Sequence, residues 1–306
     1  MPTTMCDLAA KLPMLIGGLL DRESYLKRGR FREETMTDVF TGALAAFAGP
    51  NLVIQYPVEK ETGGDLDLCF WHVKSRTSLC VRIQAKRLNG EYNGSKAVKA
   101  KHRAYNELLH KPPTAIDYQF RVLRDAPDPW IPLYMFYNHR SVTLDPEFSG
   151  ATPTVRGINL AFASDIAHEL EDKLGSAAAT PKIIKHHKRL SYLRKHFFGI
   201  EALLCPLGNC GGEIVPSPQL VQASLRNQYR WDGTVARGKD DVDRVIRRIL
   251  EPSSLRISSV ERRLSDGPSI RFSQHEVEVP TITFISGRTR DDRTPKIIDE
   301  TDQYRG

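Results

Sequence analysis

The stretch Asp65-Leu-Asp-Leu-Cys-Phe-Trp-His-Val73, followed after residues 74–77 by Ser78-Leu-Cys-Val-Arg-Ile-Gln-Ala-Lys-Arg-Leu88, decides how this chain is read. Side chains alternate between the two faces of a strand. Leu66, Leu68 and Phe70 then share one face of a first strand, and Leu79, Val81, Ile83 and Ala85 share one face of a second. Residues 74–77 make the turn between them. Paired as a hairpin, the strands gather Asp65, Asp67, Arg82, Gln84 and Lys86 on the opposite face. Ahead of Asp65, Gly63-Gly64 predicts a turn where backbone can approach a ligand closely. One reading is an ordinary half-exposed sheet face, with cross-strand charge pairs contributing about 0.2–1 kcal/mol each. The other is a site. Carboxylate and amide oxygens are hard ligands suited to Mg²⁺ or Mn²⁺, and Lys86 lies two residues from Gln84, within reach of an attacking water and a phosphate oxygen. Those are the parts of metal-assisted phosphodiester hydrolysis.

Outward from the hairpin, apolar spacing predicts a helix over residues 5–25, interrupted near Gly17-Gly18. A second helix covers residues 32–48 through Met36, Val39, Phe40, Ala43, Leu44 and Phe47, and Gly49-Pro50 ends it. A strand is predicted over 52–59. After the hairpin come a basic helical region over 95–110, stopped by Pro112-Pro113, a helix over 114–124 and a buried strand over 133–137. This order predicts an α/β fold, a mixed central sheet flanked by helices. The second half reads as an additional α+β region, with strands over 158–163, 254–263 and 275–285 and helices over 165–174, 181–198 and 240–250. The expected division is 1–145, 146–286 and a charged, disordered tail over 287–306.

Asp65, followed nineteen residues later by Gln84-Ala-Lys86, resembles the Asp…(Asp/Glu/Gln)-x-Lys signature of the PD-(D/E)XK nuclease superfamily, in its Gln-x-Lys, Mrr-like branch. The order helix, three strands, helix, strand is similar to that superfamily's restriction-endonuclease-like core. A closer likeness is to a family of uncharacterised bacterial proteins. It is carried by Arg32-Glu-Glu-Thr-Met-Thr-Asp38, Thr62-Gly-Gly-Asp65, Gln84-Ala-Lys86-Arg-Leu88 and Pro132-Leu-Tyr-Met-Phe-Tyr-Asn138. The superfamily resemblance implies Asp65 and Gln84 as ligands of Mg²⁺ or Mn²⁺ and Lys86 as the catalytic lysine. It also implies an acid from the first core helix, either Glu33 or Glu34. At about 100° per residue Glu33 falls near the apolar face and Glu34 nearly opposite, which favours Glu33 as the ligand. Asp67 is expected either as a further ligand or as a partner of Arg82. The resemblance also implies that Gln119 corresponds to a glutamine some superfamily members hold near the substrate; the alternative is an ordinary solvated helix position. Gln84, where many members have an acid, removes one negative charge and implies weaker or single-ion metal binding.

Composition narrows the classes. With 44 Lys+Arg against 37 Asp+Glu in 306 residues, the formal charge is +7, too mild to assign a partner by itself. Its distribution is more telling. Residues 82–124 carry ten Lys/Arg against three Asp/Glu, and residues 181–198 six Lys/Arg, three His and no acid. A solvated helix face explains either run alone; two beside a nuclease-like site point to DNA. The expected contacts are Arg82, Arg87, Lys96, Lys99, Lys101, Gln119, Lys182, Lys185, Lys188 and Arg189. No apolar run approaches a membrane span and no secretory pattern opens the chain, so a cytoplasmic protein without membrane partners is expected. Its five cysteines are expected to be free thiols, with Cys205 and Cys210 an unconvincing half of a zinc site. The reading is a Mg²⁺-dependent DNA endonuclease, with bacterial restriction or phage defence implied by the resemblance alone. A homodimer is a compatible assembly. The rival readings are a nuclease-like module that only binds nucleic acid, and an effector gated by its C-terminal half.

Overall fold

Thr4 starts the first helix, α1 (Met5–Asp21), through a reciprocal cap: its hydroxyl accepts from Asp7 N–H at 3.0 Å, and the Asp7 carboxylate accepts from Thr4 N–H at 3.1 Å. The computed structural model describes residues 4–26, 31–48, 51–56, 65–90, 92–93, 96–111, 117–174, 187–208, 214–229, 239–250, 259–263, 267–273, 279–287 and 296–298. The Gly63-Gly64 turn, Lys182 and Lys185 lie outside them, as does the side chain of Lys96. Helix α1 is not interrupted at Gly17-Gly18. Gly17 serves close approach instead: a Cβ there would stand 3.1 Å from Asn138 O and from Arg140 N. Gly157 does the same from the other side, where a Cβ would overlap Pro13 O.

The second helix, α2 (Glu33–Ala48), buries Met36, Phe40 and Leu44, one residue per turn. The principal sheet has seven strands in the order β1 (Leu52–Gln55), β11 (Thr281–Ser286), β2 (Leu66–His72), β3 (Thr77–Arg87), β6 (Trp130–Tyr137), β7 (Ile158–Phe162), β8 (Phe198–Gly199). β2 and β3 form the expected antiparallel hairpin, with Asp67 opposite Arg82. β3 pairs parallel with β6, Gln84 beside Tyr134 and Lys86 beside Phe136. The sheet is mixed and covered on both faces. Leu66, Leu68, Val81 and Ile83 pack with α1, α2 and the later helices Pro218–Gln228 and Lys239–Leu250. Tyr134, Phe136 and Ala161 pack on the other face with Phe120 of helix α3 (Gln119–Arg124), with Ile166 and Leu170 of helix Ala163–Leu174, and with Tyr105 and Phe197.

Several expectations are corrected. The boundary at 145 does not divide the sheet, because β7, β8 and β11 all come from beyond it and β11 lies between β1 and β2. The region expected as a basic helix over 95–110 is broken into β4 (Tyr92–Asn93), β5 (Lys96–Ala97) and two short 3-10 helices, Ala100–His102 and Asn106–Leu109. The helix expected over 181–198 contains, in its described part, the one-turn helix Leu190–Leu193 and the 3-10 turn Arg194–His196. Backbone bonds between residues 103–105 and 188–190 hold both stretches in irregular form. Within the expected tail, β12 (Lys296–Ile298) pairs with β10 (Gly267–Ser273), which pairs with β9 (Ser259–Arg263). Finally, Cys205 is no zinc ligand, since it is bonded to Cys6 in a disulfide. Nearby, His196 bonds Glu169 and His187 lies edge-on to Tyr192, whereas Cys210 lies outside the described residues. Cys69 and Cys80 are free, buried and opposite each other on the hairpin.

Candidate active site

Asp65 precedes β2 and is held by the strand beside it. Its N–H donates to Ile83 O at 2.8 Å, and its Oδ2 accepts from Ala85 N–H at 2.7 Å. Continuing the hairpin register past Leu66 and Ile83 sets Asp65 beside Gln84. By accessible area Asp65 is an exposed residue, yet its carboxyl is crowded by protein atoms. That desolvation raises its pKa to about 6, against the pull of Lys86 and the Ala85 N–H and with a push from Glu33 and Glu34.

Glu33, the first residue of α2, reaches across to β3. Its Oε2 lies 3.3 Å from Lys86 Nζ, and its Oε1 accepts from Arg87 N–H at 2.9 Å. One turn along, Thr37 donates to or accepts from the Tyr137 hydroxyl at 3.1 Å and bonds Glu33 O at 3.0 Å, which ties the start of α2 to β6. Glu33 therefore occupies the place that helical phase predicts, but both its oxygens are engaged. It positions Lys86 instead of offering a free ligand. Glu34 is exposed and lines the same cleft. Behind this group, Glu23 accepts from Arg87 NH1 at 2.6 and 2.7 Å and from Phe31 N–H at 2.7 Å.

The cleft encloses about 660 Å³. Asp65, Lys86 and Arg87 line it from the hairpin and Arg32, Glu33 and Glu34 from the start of α2, while Glu107, His110 and Gln119 form another part of its wall. Gln119, at the start of α3, is one of these lining residues. Gln84 is 1% exposed, and among the described residues neither its Oε1 nor its Nε2 has a hydrogen-bond partner. The Tyr134 hydroxyl, on the neighbouring strand position, is also buried and unpartnered. Its pKa is raised by burial and then by the charges of Asp65 and Glu33. Leaving a buried amide unpaired costs on the order of 1–3 kcal/mol, so such groups call for an explanation.

Whether these residues fit a divalent cation follows from their donors. Among the described residues no three His, Cys, Asp or Glu side chains are grouped to hold a metal ion. The oxygens on offer are those of Asp65 and the unpaired Gln84 Oε1. Two hard oxygen donors, with water in the remaining positions, fit Mg²⁺ or Mn²⁺.

Of the two roles expected for Asp67 the structure shows the pairing with Arg82, and the role expected for Arg82 is corrected. Arg82 and Asp67 are 6% and 1% exposed and clasp each other through paired contacts of 3.0 and 2.9 Å, with Arg82 also 4.6 Å above the Trp130 ring. Asp67 is therefore not a metal ligand and Arg82 not a phosphate contact. Arg87 lines the cleft while paired to Glu23. The other basic residues converge more than their sequence separation suggested. Lys99 and Lys101 are exposed, Ala104 bridges to Arg189, Tyr105 N–H donates to Lys188 O, and Ser191 Oγ donates to Lys101 O. The pKa of His102 between them is lowered, by desolvation and then by Arg189 and Lys101. Sequence reasoning missed Glu23, Tyr134, Glu107 and His110. Strand alternation from the Lys86 register would have found Tyr134. The others sit on irregular backbone, where no periodicity marks them.

No helix among the described residues is long and apolar enough to cross a membrane. No curated protein and no solved structure matches the chain. Over residues 5–299, which take in the sheet, both covering layers and the cleft, the chain belongs to DUF6615, a family of unknown function.

Proposed function

We propose that this protein is a metal-dependent nuclease that hydrolyses phosphodiester bonds of DNA at the cleft beside Asp65, Gln84 and Lys86. The observation that carries the reading is the buried Gln84 amide, unpaired next to an acid and a lysine that open onto one cleft. An apolar residue would be more stable there, so the amide is kept for something that is bound. The resemblance of Asp65 and Gln84-Ala-Lys86 to PD-(D/E)XK nucleases agrees with that choice of groups.

A divalent cation held by Asp65 and Gln84 would polarise the phosphate and activate a water near neutral pH. The chain's own residues supply the rest. Lys86, held by Glu33, sets its ammonium group where charge develops on the phosphate oxygens, and fixed donors of this kind act more strongly on the transition state than on the ground state. Ala85 N–H keeps the Asp65 carboxylate turned toward the same place. Lys99, Lys101, Lys188 and Arg189, on touching segments that lead through Asn106 to the cleft wall, form the ridge on which a phosphate backbone would lie.

The test is incubation of the purified chain with supercoiled plasmid and linear DNA in Mg²⁺, in Mn²⁺ and in EDTA. Cleavage with either metal and none in EDTA is expected. Binding without cleavage in every arm would replace the nuclease with a binding module.

A further inference from the structure

We infer that His110 is the proton donor to the leaving oxygen of the cleaved phosphodiester, an assignment that rests on the nuclease reading. Asp65, Gln84 and Lys86 account for the attacking side: two oxygen donors for a cation, and a lysine for charge on the phosphate. None of them is left to protonate the sugar oxygen that departs, which as an alkoxide is a poor leaving group. His110 lines the same cleft.

Its position is set by backbone and packing. His110 follows the 3-10 helix Asn106–Leu109 and closes it, donating from N–H to Glu107 O at 3.1 Å. Its carbonyl accepts from Gln119 N–H at 3.1 Å, which joins it to the start of α3. Leu108 and Tyr105 beneath are fully buried, and the Tyr105 hydroxyl bonds Asn138. The ring itself is open to the cleft, its side chain 43% exposed. Nδ1 lies 3.6 Å from a Glu107 carboxylate oxygen, and among the described residues Nε2 has no partner. A histidine with one ring nitrogen toward a carboxylate and the other free is arranged to pass a proton.

The step balances without another reactant. The water oxygen bonds to phosphorus as the bond from phosphorus to the sugar oxygen breaks, and that oxygen leaves with the electron pair. The protonated His110 ring delivers a proton to it, giving the alcohol. The attacking water's proton passes to solvent, from which the imidazole is reprotonated.

The experiment separates proton donation from any structural role. The position cut by wild type in a short duplex is mapped, and a second duplex is made with sulfur in place of the leaving oxygen at that bond. A thiolate departs without a proton. His110→Ala and His110→Gln should cut the oxygen duplex about 10²–10³-fold more slowly, and the sulfur duplex within threefold of the wild-type rate. Equal losses on both duplexes would make His110 a structural residue, and an unchanged rate on the oxygen duplex would remove it from the reaction; either overturns the assignment. A wild type inert on all DNA removes the nuclease reading itself, and the assignment falls with it.

Discussion

Asp67 with Arg82, and Asp65 with Lys86, lie on one face of one hairpin, yet the two acid–base groupings are built differently. Asp67 and Arg82 stand directly opposite, exchange two contacts of 2.9–3.0 Å and are capped by Trp130. Two residues nearer the open end, Asp65 takes a backbone N–H, Lys86 turns to Glu33, and Gln84 between them takes nothing. In the first grouping both carboxylate oxygens are taken up by the guanidinium. The second leaves an amide and a carboxylate oxygen for something else. The lesson is that a charged sheet face is not evidence of a site. What separates scaffold from site is which polar atoms remain unspent once the fold is complete.

The sharpest way to break the comparison is to unpair the closed grouping. Asp67→Ala leaves the Arg82 guanidinium buried without its carboxylate, and loss of one member of such a pair costs about 3–5 kcal/mol. Urea denaturation should show that loss, while Lys86→Ala should cost clearly less, because Glu33 keeps its bond to Arg87 N–H and is itself partly exposed. Comparable losses would erase the distinction. Activity should divide the other way. Lys86→Ala is expected to cut DNA about 10²–10³-fold more slowly, equivalent to ~2.7–4 kcal/mol, with affinity within threefold of wild type. Lys99→Ala, on the basic ridge, should cut at nearly the wild-type rate.

Gln84→Leu is expected to move stability and activity in opposite directions. Removing an unpaired buried amide should stabilise the metal-free protein by roughly 1–2 kcal/mol, the lower part of the penalty for leaving it unsatisfied, and cleavage should be lost. A destabilised Gln84→Leu would mean that the amide is bonded after all. The subtlest test is pH. The folded-state pKa of Asp65 is raised from 3.8 to about 6, so the folded chain holds that proton more tightly than the unfolded one. Its contribution is fully present below pH 3.8 and is lost as pH rises through about 6. In EDTA, the stability of wild type relative to Asp65→Asn should fall across that window and then level off. A flat difference would mean that the Asp65 carboxyl is not desolvated.

The hairpin was legible because alternation is a local rule: Leu66, Leu68, Val81 and Ile83 announce one face, so Asp65, Gln84 and Lys86 must share the other. Helical phase likewise picked Glu33 over Glu34. What alternation could not reveal is which polar residues pair. Asp67 and Arg82 look as available as Asp65 and Lys86 until the register and Trp130 close over them. The basic stretches misled for a related reason: charge spacing suits a helix, whereas the bonds joining residues 103–105 to 188–190 are long-range and leave no mark in either segment. The Cys6–Cys205 disulfide spans 199 residues and is equally invisible locally.

The place of β11 has a consequence for the growing chain. Thr281–Ser286 pairs parallel with Asp67–His72, so the outer neighbour of the hairpin emerges from the ribosome only after more than two hundred intervening residues. Until then β2 presents an unpaired edge, a template for wrong partners, and β1 has no strand to join it to the sheet. Prematurely terminated chains would carry the residues of the cleft but not the strand that seats them. If the cleft cuts DNA, synthesis order withholds that activity until translation is nearly finished.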